Sequence, residues 1–240
     1  MQCPICKSRN VQFRFTSKVL KKFTAKYYSC DFCNFLWIEK PTWLLEAYKS
    51  PISVCDTGIL SRNIKFSKLV KRLILFCLKK EGKYLDYAGG YGIFTRLMRD
   101  NGFDFYWDDI YSKNMFAKGY EYKKTYKLDA VTCFECFEHF ENPIKEIEKI
   151  LLLSDTLIFS TGLLPNQIPK PGDWWYYGLE HGQHIAFYSE KTLKWIASKY
   201  GFKFYRFGAL FIFSRREISL VKLFIERFKL IISKLFGFLE

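Results

Sequence analysis

Hydrophobic residues along this chain change their spacing several times, and each change marks a candidate element. Residues 1–40 alternate short β-type runs, VQFRF, KYYSC and FLWIEK, with turn signals. Segment 41–63 holds Pro41, Pro51 and Gly58 among polar residues and reads as a linker with one helical turn. From 64 the spacing turns helical. Phe66, Leu69, Val70, Leu73 and Cys77 fall at i, i+3, i+4, i+7 and i+11, with Lys68, Lys71, Arg72 and Lys79 elsewhere around the axis. Strands and helices then alternate: strand 83–87, helix 92–100, strand 103–108, a variable stretch to 127, strand 129–134, helix 143–152 and strand 155–160. A long loop, 162–187, leads to helix 189–200, and the strand-like run KFYRFGALFIFSR closes the core. The alternation predicts an α/β fold with a mainly parallel, doubly wound sheet and helices on both faces. Ligands of such sheets bind beyond the carboxyl ends of the strands, which places loops 86–92, 108–114, 134–142 and 161–188 on one edge.

The last stretch, EISLVKLFIERFKLIISKLFGFLE, has a narrow polar stripe of Ser219, Lys222, Glu226, Lys229 and Ser233 on an otherwise apolar helix. Such a helix over 215–240 must bury itself in a second subunit, in the chain's own core or in a membrane surface. Lys222, Arg227, Lys229 and Lys234 suit acidic lipid headgroups. No apolar run reaches the ~18 residues that span a bilayer. The expected organisation is therefore a small domain over 1–40, a linker over 41–63, the α/β domain over 64–214 and this helix.

Composition adds limits. Hydrophobic residues make up 49% of the chain and aromatic ones 20%, enough for a large core, which excludes global disorder. A net charge of +14 favours anionic partners, yet the lysines are spread along the chain rather than blocked, so charge alone names none. No secretory signal precedes the first cysteines. Four of the eight cysteines form two C-x-x-C pairs, CPIC and CDFC, with 23 residues between Cys6 and Cys30. Two such knuckles place four thiolates around one Zn²⁺, so Cys3, Cys6, Cys30 and Cys33 are candidate ligands of a structural zinc in a ribbon-like β domain. The gap calls for a long hairpin. The pattern points to a reducing compartment, and the protein reads as cytoplasmic, with peripheral membrane contact through the tail as an option.

The stretch KYLDYAGGYGIFTRLMRDNG (83–102) carries the chemistry. Gly89, Gly90 and Gly92 let a ligand approach the backbone closely, and the helix behind them offers free N–H groups. A dinucleotide turn wants a third glycine where Thr95 stands, and a pyrophosphate is a poor neighbour for Asp86. A ligand bearing an ammonium and no phosphate suits that carboxylate. Asp86 in D-x-A-x-G-x-G after a hydrophobic strand resembles motif I of the class I S-adenosylmethionine (SAM)-dependent methyltransferases. That resemblance implies a Rossmann-like, seven-stranded sheet, with the glycine loop beneath the methionine part of SAM. It also implies an acid after the second strand on the ribose hydroxyls: Asp109, 17 residues beyond Gly92, with Asp108 the near alternative and Ile110 flanking the adenine. Ala88, in place of the family's first glycine, is expected to keep a negative φ, altering packing modestly without loss of binding. LDAVTCFECFEHFENP (128–143) looks like the family's fourth strand and following loop, bringing Phe134 to the cofactor set; DTLIFSTGLLP looks like the fifth strand. HIAFYSEKTLKWIASKYGF resembles a segment of the small-molecule branch. The likeness covers about residues 64–213.

Methyl transfer needs an acceptor aligned with the S–CH₃ bond and often a base to take its proton. His139, His181 and His184, the chain's three histidines, all fall in loops on the ligand edge, and imidazole titrates near neutrality. Glu135 and Glu138 are further base candidates, with surface capping as their default. No carboxylate sits at ligand spacing from the His181/His184 pair, so a metal role for the histidines is not expected. GDWWYYGLEHGQH (172–184) gathers Trp174, Trp175, Tyr176 and Tyr177, whose faces can stack a sugar or base and shield the sulfonium.

These residues point first to a SAM-dependent methyltransferase acting on a small-molecule or carbohydrate-type acceptor, such as a nucleotide sugar or surface-glycan precursor. Zinc ribbons also precede RNA methyltransferases, but CFECFEHFENP matches neither the Asn-Pro-Pro-Tyr nor the catalytic-cysteine pattern of the RNA base enzymes. A zinc-ribbon adaptor without catalysis is the third option.

Overall fold

A computed structural model describes residues 1–49 and 57–219 and, beyond them, Val221, Ile225 and Phe228. In chain order it forms β1 (Val11–Val19), β2 (Phe23–Cys30), β3 (Leu36–Ile38), α1 (Leu44–Ala47), α2 (Ile59–Cys77) and β4 (Lys83–Tyr87). There follow α3 (Ile93–Asp100), β5 (Asp104–Asp108), β6 (Ala130–Phe134), α4 (Pro143–Leu151), β7 (Thr156–Ser160), β8 (Ala186–Phe187), α5 (Glu190–Lys199), β9 (Lys203–Phe207) and β10 (Leu210–Ser214). The chain divides into two compact units. One comprises Met1–Thr57, Phe134–Leu152 and Ser160–Phe202, the other Gly58–Cys133, Leu153–Phe159 and the residues from Lys203 onward.

The second unit is built on a six-stranded sheet in the order β5-β4-β6-β7-β10-β9. β4 pairs in parallel with β5 and β6, whereas β10 pairs antiparallel with β7 and β9. This corrects the expected seven-stranded, mainly parallel sheet on two counts. The run KFYRFGALFIFSR folds into the β9–β10 hairpin around Gly208, which takes φ 61°. The count is six and not seven: among the described residues the stretch beyond Asp109 meets β5 through one bridge, Trp107 with Glu121, where Tyr120 and Tyr122 share main-chain hydrogen bonds with Trp107. Burial follows position in the sheet. The inner strands β7 (TLIFS) and β10 (LFIFS) are buried at every residue, as a strand covered on both faces requires, while edge strand β9 alternates. α2 begins at Ile59, inside the segment read as linker, and buries Phe66, Leu69, Val70, Leu73 and Ile74.

The first unit holds a four-stranded sheet, β1-β2-β3-β8. β1 and β2 form the long hairpin that the cysteine spacing demands, bulged between Phe13 and Phe15. The sheet is completed from far along the chain, Leu36 pairing with Phe187 and Trp37 with Ala186. Its core joins Val19, Tyr27, Leu36, Ile38 and Trp43 to Leu164, Tyr177, Ile185 and Phe187. α5 starts with a reciprocal cap between Ser189 and Thr192. Both hydroxyls also reach the Cys33 carbonyl, at 3.3 and 2.8 Å.

No helix among the described residues is long and apolar enough to cross a membrane. Most of the amphipathic helix expected over 215–240 lies outside the described residues; Val221, Ile225 and Phe228 are helical and exposed.

Candidate functional site

The chain runs from β4 to one side of the sheet and then, through β6, to the other, so the switch point lies between β4 and β6. Asp86 stands there. Its carboxylate is buried and accepts hydrogen bonds from Thr132 of β6 at 3.0 Å and Thr95 of α3 at 3.1 Å. Burial raises it to about 7, against the opposing pull of the two hydroxyls, with the Asp109 charge adding to the rise. Thr95 thus has its own reason for standing where a dinucleotide turn has glycine.

Two glycines of the turn are sterically required. A Cβ on Gly89 would sit 2.7 Å from Asp86 Oδ2 and 2.8 Å from Trp107 Cδ1. One on Gly92, at φ 84°, would meet Asn114 Oδ1 at 2.9 Å. Gly90 is different: space above it is open, with no atom within 4 Å of a Cβ built there. A ligand can therefore approach the turn at Gly90, whose own N–H and carbonyl are held by Asp109 and the Trp107 indole at 2.9 Å each. Ala88 departs from expectation. It takes φ 56°, the left-handed region, and not the negative φ anticipated for it.

The two acids after β5 are placed together but used differently. Asp109 accepts from the N–H groups of Gly90 (2.9 Å), Tyr111 (2.7 Å) and Ser112 (2.8 Å), tying the glycine turn to the next loop. Asp108 ends the strand, its carboxyl raised by burial and by its neighbour Asp109. Ile110 is 82% exposed, an apolar side chain available to a flat ring. Phe134 is the last residue of β6 and only partly buried.

The histidines gather in the first unit. Just after β6, Glu135 adopts φ 49° and a short helical turn, Phe137–His139, follows. The ring centroids of His139 and His184 lie 5.0 Å apart, and those of His181 and His184 4.7 Å apart. Glu138, expected to cap a surface, is instead fully buried, accepting from the Tyr176 hydroxyl at 2.6 Å and the Thr161 hydroxyl at 3.0 Å. Burial, then the Glu135 charge, raises it to about 8. His139 Nδ1 lies 3.1 Å from the Gln183 carbonyl and 2.8 Å from the Tyr48 hydroxyl; burial and then His181 pull this histidine down to about 4. His184 Nδ1 donates to the Tyr176 carbonyl at 2.7 Å, and His181 Nδ1 accepts from the Gln183 N–H at 3.1 Å. Facing a carbonyl, His184 Nδ1 carries a proton, whereas His181 Nδ1, facing an N–H, carries none; His139 meets the Gln183 and Glu135 main chain and the Tyr48 hydroxyl.

Of the four loop aromatics, Trp175 is 82% exposed and Trp174 partly buried. Tyr177 belongs to the core, its ring against Phe15, Tyr27 and Phe187 and its hydroxyl on the Pro169 carbonyl. Tyr176 is buried and serves Glu138. Sequence reasoning missed Tyr48, which comes from the linker with no signal. It missed too the two threonines on Asp86, of which Thr95 was visible as the odd residue in a glycine pattern.

The four cysteines converge. Their Sγ atoms lie within 4.8 Å of one another, with Cys3–Cys33 at 3.6 Å and Cys6–Cys30 at 3.5 Å. A disulfide needs ~2.05 Å, whereas a tetrahedral Zn²⁺ with ~2.3 Å bonds spaces its sulfurs ~3.8 Å apart. The knuckles repeat one another: Lys7 and Asn34 take φ 62° and 58°, and each donates its N–H to the carbonyl of its knuckle's first cysteine.

A family model described as a methyltransferase domain matches residues 61–206. A comparison with curated proteins returned no match. Among solved structures, similarity extends to a magnesium protoporphyrin IX methyltransferase from Synechocystis with bound SAM, at 15% identity over 73% of this chain and 93% of that one, TM-score 0.44. An O-methyltransferase family protein from Burkholderia thailandensis shares 15% identity over 73% of this chain and 68% of that one, TM-score 0.47. An O-methyltransferase family 2 protein from Planctomyces limnophilus, in complex with apigenin, shares 13% over 72% and 65%, TM-score 0.48.

Proposed function

From the premise that the chain belongs to the methyltransferase-domain family and is a SAM-dependent methyltransferase, we propose that it transfers a methyl group to a small-molecule or carbohydrate-type acceptor. The observation that carries this reading is the glycine turn with Asp86 behind it, lying inside the matched residues. When bound, SAM supplies a methyl made electrophilic by its sulfonium. The open backbone at Gly90 receives the amino-acid part, the ionised Asp86 offsets its ammonium, and Asp109 or Asp108 accepts from the ribose hydroxyls with Ile110 against the base. Of the three candidate bases, His184 is the one we favour, its Nδ1 held by the Tyr176 carbonyl, while burial and His181 pull His139 down to about 4. Trp175, the exposed member of its loop, suits the acceptor's ring. The four cysteines fit a structural Zn²⁺ that holds the hairpin ends, and Cys33's carbonyl joins that knuckle to the start of α5.

The test is transfer of labelled methyl from SAM to panels of sugar nucleotides, other small hydroxylated molecules and ribosomal RNA. Label in the small-molecule panel, lost in His184→Asn, supports the reading. Label in RNA alone overturns it and favours the RNA enzyme.

A further inference from the structure

Imidazole nitrogens and carboxylates are common metal ligands, and two histidines of the cluster stand beside a buried carboxyl group. One donor atom from each of Glu138, His139 and His184 lies within 4.8 Å of the others. Spacing along the chain hid this set, because the carboxylate comes from the loop after β6 and not from the loop of the His181/His184 pair.

The surroundings orient all three groups. The Gln183 carbonyl, 3.1 Å from His139 Nδ1, can only accept, and so can the Tyr176 carbonyl, 2.7 Å from His184 Nδ1. Nδ1 of His184 therefore donates, and His139 is fixed by the Gln183 and Glu135 main chain and by the Tyr48 hydroxyl at 2.8 Å. A main-chain carbonyl on the far nitrogen is the outer partner that metal-bound histidines use to fix ring and tautomer. The carboxylate is anchored likewise. Oε1 accepts from Tyr176 and Oε2 from Thr161, and each oxygen keeps a further lone pair. The framework beneath is stiff: Ile185 N–H donates to the Glu138 carbonyl at 2.8 Å, and the Gln183 amide donates to the Ala47 carbonyl at 2.9 Å.

We propose that Glu138, with one ring nitrogen each of His139 and His184, binds a divalent first-row transition ion, Zn²⁺ foremost, at a second metal site separate from the four cysteines. Two imidazoles and one carboxylate are a three-ligand set suited to such ions, leaving a coordination position open to water or an acceptor oxygen. Ligands at ~2.0–2.1 Å in a tetrahedron stand ~3.4 Å apart, a closure within reach of side-chain torsions. His181 stays outside the set, its Nδ1 accepting from the Gln183 N–H and its Nε2 edge packed against Gly178. An oxygen bound at the open position would lose its proton more readily.

The experiment titrates the full-length protein, stripped of metal, with Co²⁺. Two equivalents are expected, one with the thiolate charge-transfer absorption of the cysteine site and one without it. Glu138→Gln and His184→Asn should each lose the second equivalent and keep the first, the thiolate band reporting that the fold survives. His184→Asn retains an N–H donor toward the Tyr176 carbonyl, so it removes the ligand while sparing the anchor. Tyr176→Phe should weaken the second equivalent about 10–100-fold. A single equivalent in the wild type overturns the proposal, as does a second one that persists in both ligand variants. Metal bound is the readout, so failure here leaves the methyl-transfer reading standing.

Discussion

Asp86 makes a prediction that separates a working cofactor pocket from a merely folded one. Its carboxyl is held at about 7 by burial, so near neutrality it is only partly ionised, while a bound ammonium needs the ionised form. S-adenosylhomocysteine, which carries the ammonium without the sulfonium, is the appropriate probe. At pH 6 about a tenth of the carboxyl is ionised and at pH 5 about a hundredth, so the apparent Kd should be about tenfold and about a hundredfold weaker there than at pH 8. Calorimetric titration between pH 5 and 8 reads this directly. Asp86→Asn should bind about ten- to a hundredfold more weakly at pH 8, the size of a lost charged hydrogen bond, with the slope abolished. Stability runs the other way. The folded value lies above the ordinary 3.8, so the folded state holds this proton more tightly than the unfolded chain. The contribution is full below about 4 and is lost as pH rises toward about 7. Asp86→Asn should therefore unfold no more easily than the wild type at pH 8, although it binds worse. A flat affinity profile in the wild type, or a slope that survives in Asp86→Asn, refutes the reasoning.

Other outcomes follow from single positions. Ala88→Gly should raise stability by about 1 kcal/mol, because φ 56° strains a side-chain-bearing residue; a denaturation midpoint that does not rise contradicts that backbone. Gly89→Ala forces a methyl against Asp86 and Trp107, and a destabilisation of about 1–3 kcal/mol with loss of S-adenosylhomocysteine binding is expected from calorimetry and thermal melts. Thr192→Ala removes half of the α5 cap and one anchor of the Cys33 carbonyl, so it should cost about 1 kcal/mol and speed chelator extraction of Zn²⁺.

Period and spacing along the chain were enough for the local elements. Apolar residues at i, i+3 and i+4 made α2, buried runs such as TLIFS made inner strands, and C-x-x-C repeated twice brought four sulfurs together. Those are properties of neighbouring residues, and neighbours are what a sequence displays. What pairs with what across long separations was decided only by the fold: β8 completing a sheet begun at Val11, and Glu121 bridging to Trp107 of β5. Chemistry divided along the same line. The glycine turn and Asp86 were legible because one strand–turn–helix unit contains them. The buried Glu138 with its two histidines was not, because burial, tautomer and ligand distance arise from loops far apart in sequence that share a core.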